Sequence, residues 1–318
     1  MLPLKTAESS VLDVSGVRAG PAVIDPRTTL DHVHLTVRSI DRVLPFYTDI
    51  LGFKVHRRES GPQGPFAALG AGRSDLLRLT EQPDAPRPQH TASLYHVAFK
   101  VAQRVDLARW LRRITETNTP VEGLVHHAPA AEAIYLPDPE GNTIELNWDP
   151  PREVWANPGQ LPFTGNLPLD TDGLFALLEG QPKEWSGAPP DTSFSHIHLH
   201  VGDLAAAERF YVGVLGFEQT LAMPGQAIFV SAGGYHHHVA FNVWKGRNIL
   251  PQPEGAAGLR YYVVRLPDQA ERDRVLARVR AAGLSIQDAP ESGNGHTQAG
   301  VLLYDPAGLG VVLATDAA

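Results

Sequence analysis

Fourteen histidines and no cysteine define the chemistry open to this chain of 318 residues. Without cysteine there can be no disulfide, thiolate nucleophile, iron–sulfur cluster or thiolate zinc site. Any metal must be held by His, Asp or Glu. Some of the histidines recur in register. His32 and His34 return as His196 and His198, at a constant offset of 164 residues. Each pair has the form H-x-H inside an alternating stretch, VHLTV or IHLHV, so the two imidazoles of a pair leave the same face of a strand. Imidazoles grouped on strand faces are the residue type and spacing of a metal site.

The elements that must position them repeat as well. Residues 30–53, LDHVHLTVRSIDRVLPFYTDILGF, match 194–217, FSHIHLHVGDLAAAERFYVGVLGF, without a gap. Internal repetition of this size marks a repeated structural unit. After each strand, Ser39 and Asp203 stand as helix N-caps. Val43, Phe46, Tyr47 and Ile50, like Ala207, Phe210, Tyr211 and Val214, then follow at helical spacing as a core-facing stripe. Gly52 and Gly216 suit helix C-caps before further strands. A second pair follows the same plan: SLYHVAFKV at 93–101 parallels GLRYYVVRL at 258–266. Helices are expected over about 104–117 and 268–282. Both units end in a turn and a strand, at 135–146 and 304–313, where Asp138-Pro139 and Asp305-Pro306 carry turn chemistry.

Four β-α-β-β-β modules result, at about 30–80, 93–148, 194–243 and 258–313, an α+β chain. An irregular arm over 1–29 precedes a first two-module half, 30–148. A Pro-, Gly- and Trp-containing linker over 149–192 leads to a second half, 193–318. The tryptophans Trp148, Trp155 and Trp185 are expected to pack the halves together, and LDTDGLFALLEG reads as a short helix.

Composition narrows the partners. With 43% hydrophobic and 19% charged residues the chain can bury a sizeable core, which excludes wholesale disorder. A net charge of −8 argues against nucleic acid or an anionic membrane surface as partner. No apolar run has signal-peptide length or reaches the roughly 18 residues of a membrane helix. A cytoplasmic protein is the expectation, and exposed sheet edges make a homo-oligomer the natural assembly.

The phrase H-x-x-L-x-V, a helix with FY, LGF, and a closing DPxGNxIEL resembles the vicinal oxygen chelate superfamily. That superfamily includes glyoxalase I, fosfomycin- and bleomycin-resistance proteins and the type I extradiol dioxygenases. Four modules in one chain are most similar to the catechol 2,3-dioxygenases among them, and the resemblance spans about 30–313. It implies modules paired into two cup-shaped mixed sheets with helices outside, one cup closing on a divalent metal. The fold alone does not settle the reaction.

The resemblance also carries ligands over, position by position. In the second module His96 of LYHVAF and Glu145 of GNTIEL match the family's ligand positions. The fourth module has Tyr261 and Val312 there, so one metal site per chain is expected. The third ligand is His196 or His32. Pairing modules 2–3 and 1–4 supplies His196, and pairing 1–2 and 3–4 supplies His32. The long linker favours the latter. His237 in GGYHHHVAF, which falls on the family's acid–base histidine, favours the former, and His196 is the preferred assignment. Tyr135 and His126 fall on positions that bind substrate and stabilise intermediates, with His127 one residue out of register.

Two imidazoles and a carboxylate make a facial triad with open positions, the ligand set of non-haem Fe(II) oxygenases, which also accepts Mn(II). The implied reaction is extradiol opening of a catechol-type aromatic by O2. The metal lowers the diol pKa and holds both reactants together, while His237 moves a proton. A glyoxalase-like isomerase or lyase is the alternative, disfavoured because HHHVAF lacks that class's fourth carboxylate. An aromatic-ligand-binding resistance protein is another, disfavoured by length. His34 and His198 are expected to pack beside the ligands. His56, His90 and His296 are expected at the surface or in loops. The loops 57–73, 118–133 and 287–300 should select ring substituents, their Gly and Pro content pointing to shape rather than a charged anchor.

Overall fold

Alternation along the first strand of each module decides the architecture. In Thr29–Val37, Val33, Leu35 and Val37 face the core while His32, His34 and Thr36 face the other way. In Ser193–His200, Ile197 and Leu199 oppose His196, His198 and His200. A computed structural model describes residues 23–61, 63–155, 165–289 and 300–315. Most of the N-terminal arm, the middle of the linker, His296 and most of the 287–300 loop lie outside the described residues.

The modules assemble into a nine-stranded and an eight-stranded sheet. The larger joins the second module (Ser93–Val101, Gly123–Ala128, Ala131–Pro137, Thr143–Trp148) to the third (Ser193–His200, Glu218–Met223, Ala227–Ser231, Val239–Asn242). The seam is an antiparallel pair of first strands, with His198 opposite His96. The smaller sheet joins the first module (Thr29–Val37, Lys54–Gly61, Gly64–Gly70, Leu77–Glu81) to the fourth (Gly258–Leu266, Gln287–Asp288, Gly300–Tyr304, Gly310–Thr315). There His34 lies opposite Tyr261. Within a module the last strand returns parallel to the first, which sets Glu145 beside Ala98. Each sheet thus takes one module from each half of the sequence. The linker adds the ninth strand, Gly165–Pro168, against Gly123–Ala128, and the short helix Thr171–Ala176.

Helices form where caps and apolar stripes call for them. Asp203 accepts from the backbone N–H groups of Ala205 and Ala206, and Ser39 from that of Arg42. The expected single helices of modules one and three run as a short α-helix that widens into a π turn. These are Ile40–Pro45 into Phe46–Ile50, and Leu204–Glu208 into Arg209–Leu215. Pro45 accounts for part of the difference, because it has no N–H to give. The wider turn buries both aromatics of each FY pair. Tyr47 Oη then donates to Asp138 at 2.8 Å, and Tyr211 Oη to Asp305 at 2.9 Å. The DP turns are therefore buried joints that tie sequence-adjacent modules across the two sheets. The helices Arg104–Glu116 and Gln269–Ala281 complete a continuous core between the sheets, with Trp110 at its centre. Among the described residues no helix is long and apolar enough to cross a membrane.

Candidate metal centre

The concave face of the nine-stranded sheet gathers three donors. His96 rises from the second module's first strand, Glu145 from its last, and His196 from the third module's first strand. All three are buried, and their ligand atoms lie within 4.8 Å of one another. His196 Nε2 is 3.0 Å from Glu145 Oε2, and His96 Nε2 is 3.1 Å from the same oxygen. The seam makes this possible. Antiparallel first strands bring the two imidazoles together edge to face, their centroids 5.5 Å apart, and the parallel return delivers the carboxylate.

The donor set fits a divalent ion. His96 is 5% exposed, yet neither ring nitrogen has a hydrogen-bond partner, because the short approach to Glu145 is off the line of a hydrogen bond. A buried imidazole left in this way is costly unless something accepts its lone pair. Burial pulls the His96 pKa down to about 3, against the pull of Glu145, which keeps the ring neutral. For Glu145 burial pushes upward, but the His196 and His96 imidazoles prevail and hold it at about 2. A neutral His96 imidazole and an ionised Glu145 carboxylate are the forms that bind metal. His196 is oriented from behind: its Nδ1 lies 3.1 Å from Ser195 Oγ, leaving Nε2 for the centre.

The other expected residues distribute unevenly. His32 lies in the eight-stranded sheet, with its Nδ1 2.6 Å from Asp31 and its ring against Tyr261, so it shares no site with His96. Tyr261 and Val312 there belong to an apolar cluster with Val263 and Leu302. His237 stands beside the centre, its ring centroid 4.1 Å from that of His196. His236 joins it, 5.7 Å from His196, and with His196 and His237 forms a second group of potential donors. His236 and His237 thus both approach the centre although they are adjacent in the sequence. The strand begins only at Val239, and strand alternation does not govern the residues before it. His238 turns away, accepting from the Ala232 N–H through Nδ1.

Tyr135 is in the cup, its ring 5.4 Å from that of His96. Burial and the Glu145 charge push its hydroxyl pKa well above the ordinary value. The histidine that reaches Tyr135 is His127, whose Nε2 is 2.8 Å from Tyr135 Oη. His126 faces the opposite way, paired with Glu132 and Leu167. Of the two neighbours it is thus His127 that the structure brings to Tyr135, since one residue along a strand inverts the face.

Other groups were not foreseen. Tyr235 Oη is 2.8 Å from Ser195 Oγ and donates to Asp149 Oδ2 at 2.6 Å. Lys100 Nζ also donates to Asp149 Oδ2 at 2.9 Å, and His236 Nε2 lies 3.3 Å from Asp149 Oδ1. This network backs both His196 and His236. Lys100 and Asp149 each sit four residues past a candidate donor, His96 and Glu145, and that spacing was the available signal. His198 packs on His96 and is held by Asn242, which also holds His200. His90 is exposed as expected, whereas His56 is half-buried against Asp75 and the Gly72 carbonyl. Trp155 packs on Tyr235 and His236, behind the centre.

A family described as Glyoxalase/Bleomycin resistance protein/Dioxygenase superfamily matches residues 29–146 and 193–313. Catechol-2,3-dioxygenase of Bacillus subtilis (strain 168) is 41% identical over 271 residues, 83% of this chain and 92% of that protein. Among solved structures, one from Bacillus subtilis subsp. subtilis str. 168 superposes with a TM-score of 0.64 at 13% identity, covering 91% of this chain and 86% of that one. Glyoxalase I from Zea mays superposes with a TM-score of 0.55 at 16% identity, covering 91% and 92%. These structural likenesses are of fold.

Proposed function

This chain belongs to the glyoxalase/bleomycin resistance protein/dioxygenase superfamily, and within it we propose an Fe(II)-dependent extradiol dioxygenase that opens a catechol-type ring. The observation that carries the reading is the convergence of His96, Glu145 and His196 with His237 and Tyr135 beside them. The name of the Bacillus subtilis relative supports the same reaction class.

His96, Glu145 and His196 would hold a ferrous ion, which would supply Lewis acidity toward the diol, and the same donors accept Mn(II). The chain's own groups do the rest. Ser195 fixes the tautomer and direction of His196. Tyr135 keeps its proton at neutral pH and donates to an oxyanion as it develops. His127 holds the Tyr135 hydroxyl in place at 2.8 Å. His237, half-buried beside His196, accepts the second diol proton and returns it as the O–O bond breaks. In the balance, the ring C–C bond beside the diol breaks and both atoms of O2 enter the product.

The test is anaerobic loading with Fe(II), addition of catechol, substituted catechols and hydroquinones, and admission of air. Stoichiometric O2 uptake with a yellow, pH-sensitive product is expected. Bound metal with no O2 uptake on any diol would overturn the reading. Loading with Mn(II) in parallel assigns the metal.

A further inference from the structure

A cavity of about 460 Å³ lies on the far side of Tyr95 from His96, and the ring-cleaving reading makes no use of it. Tyr95 and His200 line it. Tyr95 bulges from the seam, because His96 pairs with His198 while Leu94 pairs with the next residue, Leu199. Its ring centroid lies 4.9 Å from that of His96 and 5.0 Å from that of His198. The cavity is therefore one aromatic ring away from the ligands.

Two cations line the same cavity from different connectors. Arg87 comes from between the first and second modules, and Lys245 from between the third and fourth. Arg87 donates to Asn142 Oδ1 at 2.7 Å, and Lys245 Nζ to Ser93 Oγ at 3.0 Å. Both partners are neutral. Among the described residues neither cation has a carboxylate partner, and no Asp or Glu lines the cavity. In a chain of net charge −8 that absence is unusual. Burial and the charge of Arg87 hold the Lys245 pKa below its ordinary value, a cost that an anion between them would relieve. Trp244, packed on Tyr95, supplies an apolar wall.

We infer that this cavity is a subsite for an anionic ring substituent, with Arg87 and Lys245 as its specificity-determining cations. The substrate is then a catechol carrying a short side chain that ends in a carboxylate. The inference rests on the ring-cleaving reading for the diol and on the cavity alone for the anion. The charged anchor comes from the connectors, not from the Gly- and Pro-rich loops.

The experiment has two arms. The Fe(II)-loaded protein is assayed with dihydroxyphenylpropionates of the 2,3 and 3,4 series and with their methyl esters. The metal-free protein is titrated calorimetrically with 3-phenylpropionate and its methyl ester. Charge-assisted hydrogen bonds of this kind predict an acid-over-ester preference on the order of tenfold in kcat/KM and in Kd. K245M and R87M each lower that ratio severalfold, and the double variant brings it near one. Reading a ratio within each variant removes any loss of folded protein. Equal acid and ester values in the wild type, or a ratio untouched in the double variant, overturn the subsite. Turnover of catechols without acid preference refutes the subsite alone. Acid-selective binding without turnover of any catechol refutes ring cleavage and sustains the subsite.

Discussion

Exchanging His196 or His32 for alanine separates the two ways of building the cup. His196→Ala removes one of three converging donors. Loss of a mere outer hydrogen-bond partner already costs roughly 10–100-fold in metal affinity, so loss of the donor itself must exceed about 100-fold, or about 2.7 kcal/mol. His32 stands in the other sheet, with its Nδ1 on Asp31, and touches none of the donors. Its removal should leave metal affinity unchanged. Stability does not discriminate between them. His196→Ala takes a partner from the buried Glu145 carboxylate, and His32→Ala takes one from Asp31, which keeps Arg265. Each loss is on the order of 1.5–3 kcal/mol, as for hydrogen bonds to charged groups. The assay is therefore metal content after dialysis against buffered Fe(II) under anaerobic conditions, alongside denaturant unfolding of each protein. One ion per chain in the His32→Ala protein and none in the His196→Ala protein is expected. The reverse result would refute the assignment, and loss in both would show that the sheets are coupled more tightly than their hydrogen bonds indicate.

Three further outcomes follow from particular contacts. Ser195→Ala frees the His196 ring and should lower metal affinity by about 10–100-fold without abolishing it, read by competition with a chelator. Tyr47→Phe removes one of several donors to Asp138 and should cost about 1 kcal/mol in urea unfolding, since the backbone N–H groups of Glu140 and Asn142 remain. Acid should unfold the metal-free protein. Burial first, then His236, hold the His238 pKa near 3, and burial holds that of His34 well below the ordinary value. Such residues take up protons only on unfolding, so stability falls as pH drops below about 6.5 and continues to fall toward 3. Circular dichroism should show a cooperative loss in that window with net proton uptake, and a pH-independent stability there would contradict it.

What the sequence revealed followed the range of its signals. The repeat was legible because identical strand and helix patterns recur at one offset, and His96 and Glu145 were legible because they sit on regular strands. Which modules pair was legible only through His237 in GGYHHHVAF, since His32 and His196 occupy equivalent positions and the decision belongs to contacts between distant strands. The linker misled for a physical reason. It looks like a boundary, yet it docks back: Ala188 N donates to the Gly52 carbonyl at 3.0 Å, and a Cβ on Gly52 would meet that nitrogen at 2.4 Å. His126 and His127 were not separable in the sequence, because a turn lies between them and Tyr135 and one residue inverts the face. The network of Ser195, Tyr235, Asp149 and Lys100 joins four separate segments and has no linear signature.

The two sheets show how little separates a metal centre from packing. Their core-facing residues are nearly interchangeable, Val33 and Leu35 against Ile197 and Leu199, and both seams use the same antiparallel register. The difference lies in the concave positions. His96 is replaced by Tyr261, Glu145 by Val312, and Tyr135 by Leu302, as the ladder partners show. A carboxylate among imidazoles needs an ion, and a valine beside a tyrosine needs only contact. One cup can therefore lose its donors and still hold the other in place, because the scaffold draws its stability from the shared core and the Tyr–Asp joints. The substitutions that distinguish the two cups fall on the face that stability does not require, which is why a repeated fold can keep one scaffold and vary its concave residues within a single chain.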